Sequence, residues 1–280
     1  MSPAIRNLGI FAVALVALFG LAVVAGRLLD PDAPVGEAAE HSNGHSKAMT
    51  DMTIDHVRGL AVAENGLRLV IDDPELRRGA EGELRFRIVD ADGRAVRDFD
   101  VEHTKRMHLI VARRDLTGFQ HLHPTMGPDG TWSAPLRLPD AGSYRVFADF
   151  AHEGRLTTLA ADVRVDGAAD LKALPAPQPV ATSDGGYDVR LAAGVARPGR
   201  ESTLRFTVTR GGRPVAVQPY LGASGHLVAL REGDLAFLHV HPVEHGAFQA
   251  TFPTVGRYRL FLQFRVADRV QTVAFTQEVR

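Results

Sequence analysis

The stretch MHLIVARRDLTGFQHLHP at 107–124 recurs later in the chain as GHLVALREGDLAFLHVHP at 225–242. Two further pairs of segments match in the same order: ELRFRIVDADGRAV (83–96) with TLRFTVTRGGRPV (203–215), and GTWSAPLRLPDAGSYRVFADF (130–150) with GAFQATFPTVGRYRLFLQF (246–264). Ordered matches of this kind indicate that one structural unit has been duplicated within the chain.

Each copy consists of short runs that alternate apolar and polar residues, such as LRFRIV and LRFTVT. Turn clusters such as DADG, GPDG and PDAG divide these runs at regular intervals. Short alternating runs separated by turns are typical of β-sandwiches. We therefore predict an all-β chain with two tandem immunoglobulin-like β-sandwich domains, an internal duplication that follows one N-terminal transmembrane helix.

The predicted organisation divides the chain into five segments. These are a transmembrane anchor or signal segment at 1–28, a flexible tether containing His and Met at 29–57, β-sandwich domain 1 at 58–167, a Pro/Ala linker at 168–186, and β-sandwich domain 2 at 187–280.

The N-terminal run LGIFAVALVALFGLAVVAG (8–26) is apolar and uncharged, and Arg6 precedes it. About eighteen apolar residues suffice for a helix to cross the hydrocarbon core of a membrane. Positive charge at the start keeps the N-terminus in the cytoplasm. We expect a single-pass protein of the cell membrane with residues 30–280 extracytoplasmic, or a secreted protein if the segment is a cleaved signal peptide.

Composition excludes several classes of function. The net charge is −1 and no basic stripe exists, which argues against a nucleic-acid partner. Cysteine is absent, so the chain has neither disulfides nor thiolate metal sites. It contains no Gly-rich phosphate loop, no GxSxG and no HExxH motif. We expect a protein that is not an enzyme.

The repeated stretch predicts a hairpin that gathers histidines on one face. Side chains alternate along a strand, so His121 and His123 share a face. If the turn centres on Leu116 and Thr117, residue 110 lies opposite residue 123, and His108 joins the same face. The same construction groups the histidines of the second copy: His226, His239 and His241.

Imidazole suits copper and zinc, and thioether sulfur favours copper. Met107 and Met126 flank the first cluster, so the sequence predicts copper, with zinc also possible. The predicted metal ligands are His108, His121, His123, Met107, Met126, His226, His239 and His241.

The alternative is that these histidines are packed or hydrogen-bonded structural residues. Phe119 and Phe237 fall on the same face in this register, which is also compatible with a core. The tether contains His41, His45, His56, Met49 and Met52, and it serves either as a weak metal-capturing segment or as a plain linker.

The chain resembles uncharacterised bacterial exported or membrane-anchored proteins with tandem immunoglobulin-like domains. It is also similar in plan to YtkA-like and periplasmic copper-resistance domains, on the evidence of MHLIVARRDLTGFQHLHP and the duplicated sandwich pattern. The resemblance covers about residues 60–280. It implies copper handling rather than catalysis, carried by the His-x-His pairs and the histidine before each pair. The tether that precedes the domain departs from the copper-resistance pattern.

A second, weaker resemblance is to small-barrel metalloenzymes of the cupin class. Gly233, His239, His241 and Glu244 approach the first cupin motif, but FPTVGRYRL offers no histidine for the second.

Three hypotheses follow from the sequence. The first is a membrane-anchored, extracytoplasmic metal-binding protein that sequesters or delivers copper, with a metal-handling envelope protein as partner. The second is an envelope interaction or structural module without metal, and the third is a cupin-like metalloenzyme.

Overall fold

The computed structural model describes residues 57–244 and 246–280, with the side chains of His239, His241 and Glu244 outside the description. The predicted membrane segment and nearly all of the tether lie outside the described residues. Within the described part, no helix is long and apolar enough to cross a membrane.

The first sandwich contains ten strands: β1 (Ala63–Glu64), β2 (Leu67–Ile71), β3 (Glu75–Leu76), β4 (Gly82–Val89), β5 (His108–Arg113), β6 (Gln120–Leu122), β7 (Thr125–Met126), β8 (Trp132–Leu136), β9 (Gly142–His152) and β10 (Arg155–Val165). One sheet has the order β1-β2-β4-β8-β7 and the other β3-β10-β9-β5-β6. The short strand β3 pairs with β10 in parallel, and the other named pairs are antiparallel. This two-sheet order is that of an immunoglobulin-like sandwich.

The second sandwich repeats this plan with strands β11 (Val180–Thr182), β12 (Asp188–Ala193), β13 (Glu201–Arg210), β14 (Arg213–Pro214), β15 (His226–Arg231), β16 (Phe237–His239), β17 (His241–Glu244), β18 (Ala247–Thr251), β19 (Gly256–Val266) and β20 (Arg269–Val279). Its sheets run β11-β12-β13-β18-β17, with β14 on β13, and β16-β15-β19-β20. Strand β11 lies within the segment that the sequence assigned to the linker, because three mostly exposed residues produce no recognisable alternation.

Each sandwich carries a tyrosine corner, a hallmark of this fold. The Tyr144 hydroxyl donates to the Asp140 carbonyl at 2.9 Å, and the Tyr258 hydroxyl donates to the Thr254 carbonyl at 3.1 Å. Both tyrosine side chains are fully buried. Because a buried hydroxyl needs a partner, this bond anchors the loop before each long central strand.

The two sandwiches pack face to face through the sheets that contain β5 and β15. Phe119 stacks on Phe261 with ring centres 4.0 Å apart, and Phe147 meets Phe237 at 5.6 Å. Phe237 is the repeat counterpart of Phe119, and Phe261 is that of Phe147. The two contacts are therefore the same contact with the repeats exchanged, which makes the interface approximately two-fold and isologous.

The β5–β6 hairpin is shifted by two residues from the predicted register. Ile110 pairs with His121, whereas the sequence placed residue 110 opposite residue 123. The turn centres one residue earlier than predicted, because Leu116 adopts a positive φ of 64° and the Arg113 amide bonds the Thr117 carbonyl. Since side chains alternate with a period of two, this shift leaves the predicted face unchanged.

Candidate functional site

Three histidines of the first sandwich converge at the interface between the sandwiches. His108 begins β5, His121 lies in β6, and His123 follows it. One ligand atom from each lies within 4.8 Å of the others, and the ring centres are 4.8–5.3 Å apart. Imidazoles that bind one tetrahedral ion at about 2.0–2.1 Å have ring centres about 5 Å apart. The spacing of the three rings therefore suits one shared ion.

His108 and His121 are hydrogen-bonded to each other and to the chain around them. His108 Nε2 lies 3.1 Å from the Glu102 carbonyl, and His121 Nδ1 lies 2.7 Å from Gln263 Oε1. The other two nitrogens, His108 Nδ1 and His121 Nε2, lie 3.0 Å apart. Which of them donates depends on the tautomers of the two rings. The two rings are therefore in direct contact through their nitrogens.

The second sandwich contributes Gln263, a residue of β19, to the surroundings of His121. The Gln263 amide nitrogen donates to Thr272 Oγ1 at 3.2 Å, which turns the amide oxygen towards His121. A ring nitrogen held by an amide or carbonyl oxygen is the usual outer-shell arrangement of a metal-binding histidine. Sequence reasoning missed Gln263, because nothing local links it to a residue 142 positions away.

His226 of the second sandwich joins the first cluster. Its ring centre lies 6.0 Å from those of both His108 and His121. The sequence predicted instead that His226 would form a separate site within its own repeat. The two-fold packing brings the beginnings of β5 and β15 together, which is why the equivalent residues His108 and His226 meet across the interface.

His103 is a fifth member, which sequence reasoning did not select. Its ring centre is 5.2 Å from that of His226 and 6.3 Å from that of His108. It sits in a tight turn closed by bonds between Glu102 and Lys105, with φ values of 47° for His103 and 69° for Thr104. Two successive residues with positive φ are what a tight two-residue turn requires, and Ala267 and Asp268 form the same kind of turn between β19 and β20. No sequence signal marks this turn, which lacks glycine.

Burial keeps three of these rings neutral near pH 7: His121, His123 and His226. It lowers the pKa of His121 to about 3, with nearby His108 and His123 adding to the effect. Burial and the neighbouring His108 lower the pKa of His123 to about 4, and burial together with His103 lowers that of His226 to about 3. Protonation of these three rings is therefore disfavoured at neutral pH, and neutral imidazole is the form that can bind a metal ion.

A small cavity of about 30 Å³ is lined by His103, His108, His121 and His226, but not by His123. Its polar lining includes the carboxylate residue Asp149, which is 6% exposed and accepts a 2.6 Å bond from Thr158 Oγ1. Asp149 is the repeat counterpart of Gln263. The cavity therefore combines imidazole rings with one buried acidic residue.

The two predicted methionine ligands pack into the hydrophobic core of the first sandwich instead of lying beside the histidines. Met107 is 1% exposed and packs in the core of the first sandwich, and Met126 packs against the same core. Met107 precedes His108 in the chain, so strand alternation sends it to the opposite face. The prediction of thioether ligands beside the histidines is therefore corrected by the structure.

The second His-x-His motif is split between two sheets. His239 ends β16, where it pairs with Val228, whereas His241 begins β17 and pairs with Gln249 of β18. The side chains of His239 and His241 lie outside the described residues, so their role as ligands stays a prediction.

Comparisons with known proteins identify a family and a distant likeness to solved structures. The model of a family described as a domain of unknown function (DUF8832) matches residues 61–167 and again residues 181–280. No curated protein matches the chain.

Similar solved structures include the Escherichia coli adhesin FdeC, with 15% identity over 79% of this chain and 66% of that one, and a TM-score of 0.27. A Salmonella alpha-2-macroglobulin reacted with methylamine has 14% identity over 82% of this chain and 15% of that one, with a TM-score of 0.29. A chimeric titin Z1Z2 tandem has 13% identity over 76% and 99%, with a TM-score of 0.21. The chain spans less than two thirds of the first two proteins, and likenesses this distant carry no functional argument.

Proposed function

Because the chain belongs to a family described only as a domain of unknown function (DUF8832), we propose its function from the histidine cluster: the protein binds a transition-metal ion where its two immunoglobulin-like domains meet. The observation that carries this proposal is the convergence of His108, His121 and His123, with His108 Nδ1 only 3.0 Å from His121 Nε2. A tetrahedral ion at about 2.0–2.1 Å from each would hold two nitrogens about 3.3 Å apart. His123 Nε2 is buried and has no hydrogen-bond partner among the described residues, so it is available as the third ligand.

The ligand chemistry favours Cu²⁺ or Zn²⁺. Three neutral imidazoles suit either ion, and Cu²⁺ binds more tightly to a given nitrogen site than Zn²⁺ does. The methionines pack into the core, so the thioether argument for Cu(I) no longer applies to this cluster. Copper remains the first candidate on affinity alone, with zinc second.

We propose that the ion is held for sequestration or delivery, without turnover. The apolar run at 8–26 supports an anchored chain whose domains lie outside the cytoplasm. In that setting, another metal-handling envelope protein is the natural partner. The proposed likeness to periplasmic copper-resistance domains rests on the sequence pattern of the duplicated hairpins.

A second candidate function is an envelope interaction or structural module that uses no metal. The 2.7 Å bond between His121 and Gln263 favours it, because this bond and the phenylalanine contacts already join the sandwiches without an ion. In this case the histidines would serve domain packing, and metal would change neither stability nor structure.

Metal titration distinguishes the two functions. The full chain is stripped with a chelator and titrated with Cu²⁺ and Zn²⁺, alongside a His121→Ala/His123→Ala variant. We expect the variant to lose the tightest binding event, whereas His152→Ala should keep it, since His152 instead bonds the Asp98 carbonyl away from the cluster. Equal affinities in the wild type and the double variant would refute metal binding at this cluster.

A further inference from the structure

We infer that His226 of the second domain is the fourth ligand of the ion held by His108, His121 and His123, so that the ion joins the two domains. This inference rests on the proposed metal binding and extends it from one hairpin to the whole two-domain chain.

His226 has a nitrogen whose bonding capacity is not satisfied. Its Nε2 is buried without a hydrogen-bond partner among the described residues, and the backbone of Leu221 raises the pKa of the ring against the effect of burial. In the neutral tautomer with the proton on Nδ1, Nε2 has a lone pair that can bind a metal ion. A buried polar atom without a partner costs free energy, and a metal ion bound to this nitrogen would remove that cost.

The distance from His226 to the other rings is nearly right. Its ring centre lies 6.0 Å from those of His108 and His121, against about 5 Å for ligands of one tetrahedral ion. To share one ion with these two rings, His226 would therefore have to move closer to both. The three rings of the first domain are already at the required spacing, so the ion would draw His226 towards them.

The packing around His226 links a movement of this residue to His121 of the first domain. His226 begins β15, and its backbone pairs with Gln263 of β19. Gln263 in turn orients His121 of the first domain. One strand pair of the second domain thus supplies both a ligand and the residue that positions another ligand. Metal binding and the docking of the two domains should therefore stabilise each other.

The decisive experiment counts ligands and measures affinity in the same proteins. X-ray absorption of the full chain with one equivalent of Zn²⁺ should fit four imidazoles in the wild type and three in His226→Ala. The affinity of His226→Ala should fall by at least about tenfold, with His152→Ala as the control. Hydrogen exchange of the β15 amides should slow on metal addition in the wild type and not in His226→Ala.

The outcomes distinguish the role of His226 as fourth ligand from metal binding at the cluster itself. If the wild type binds no metal at this cluster, both are overturned. If His121→Ala/His123→Ala loses binding while His226→Ala keeps full affinity, only the inference is overturned. The ligand count in the wild type does not depend on how well any variant folds, and a count of three would overturn the inference by itself.

Discussion

Acidification should destabilise the metal-free protein through three partly buried histidines. The pKa of His121 and of His226 is lowered to about 3, and that of His123 to about 4, against about 6.5 in an unfolded chain. The unfolded state therefore binds more protons below pH 6.5, and stability falls with pH. Their contribution is complete above pH 6.5 and is lost as pH falls towards the folded values.

The size of this effect follows from the pKa differences. At pH 5 the unfolded histidines are almost fully protonated while the folded ones remain neutral, which costs about 2 kcal/mol each relative to pH 7.5. We expect a combined loss of about 4–6 kcal/mol, which approaches the whole stability of an ordinary domain.

Urea denaturation of the chelator-treated protein between pH 7.5 and 5 measures this loss. A variant with glutamine at all three positions should lose most of the pH dependence, because glutamine does not titrate. A wild-type free energy of unfolding that changes by less than about 1 kcal/mol over this range would refute the reasoning. So would a variant whose pH dependence equals that of the wild type.

Three further predictions concern single side chains. Replacing Gln263 with Leu should weaken metal binding by roughly 10–100-fold, because His121 loses its orienting acceptor; titration measures this. Asp115→Asn should cost about 3–5 kcal/mol in urea denaturation, because it leaves Arg113 unpaired where the two side chains are 3% and 4% exposed. Phe147→Ala should cost about 3–5 kcal/mol, since this fully buried ring packs against the second domain.

The chain offers matched controls for these variants. Gln271→Leu removes another buried amide of the second domain, one that contacts Ser183, and should leave metal affinity unchanged. Asp234→Asn alters the repeat counterpart of the Asp115 pair, where Asp234 is 41% exposed, and should cost less than Asp115→Asn. Equal costs for the two aspartate variants would contradict the burial argument.

The strands and the face of the histidine hairpin could be predicted because both depend on local periodicity. Alternation places His108, His121 and His123 on one face whether the register is the predicted one or the observed one, since the two differ by an even number of residues. The position of the hairpin turn was less predictable, because Leu116 adopts a positive φ, which is uncommon for residues other than glycine.

The composition of the cluster beyond one hairpin could not be predicted. Contacts between the two sandwiches bring His226 and Gln263 to the cluster, and a tight turn that lacks glycine brings His103. The duplication alone suggested two equivalent sites, one per repeat. It carried no information about which sheet of each domain would face the other.

The amino-acid sequence by itself determined the repeated β-sandwich and the shared face of three histidines, because hydrophobic alternation and turn residues act over a few positions. Only the tertiary structure decided what that face meets. The phenylalanine contacts bring the two sheets together about an approximate two-fold axis, and this packing places His226 and Gln263 beside the hairpin. Long-range packing depends on the complementarity of whole surfaces, so it leaves no signal in a short stretch of chain.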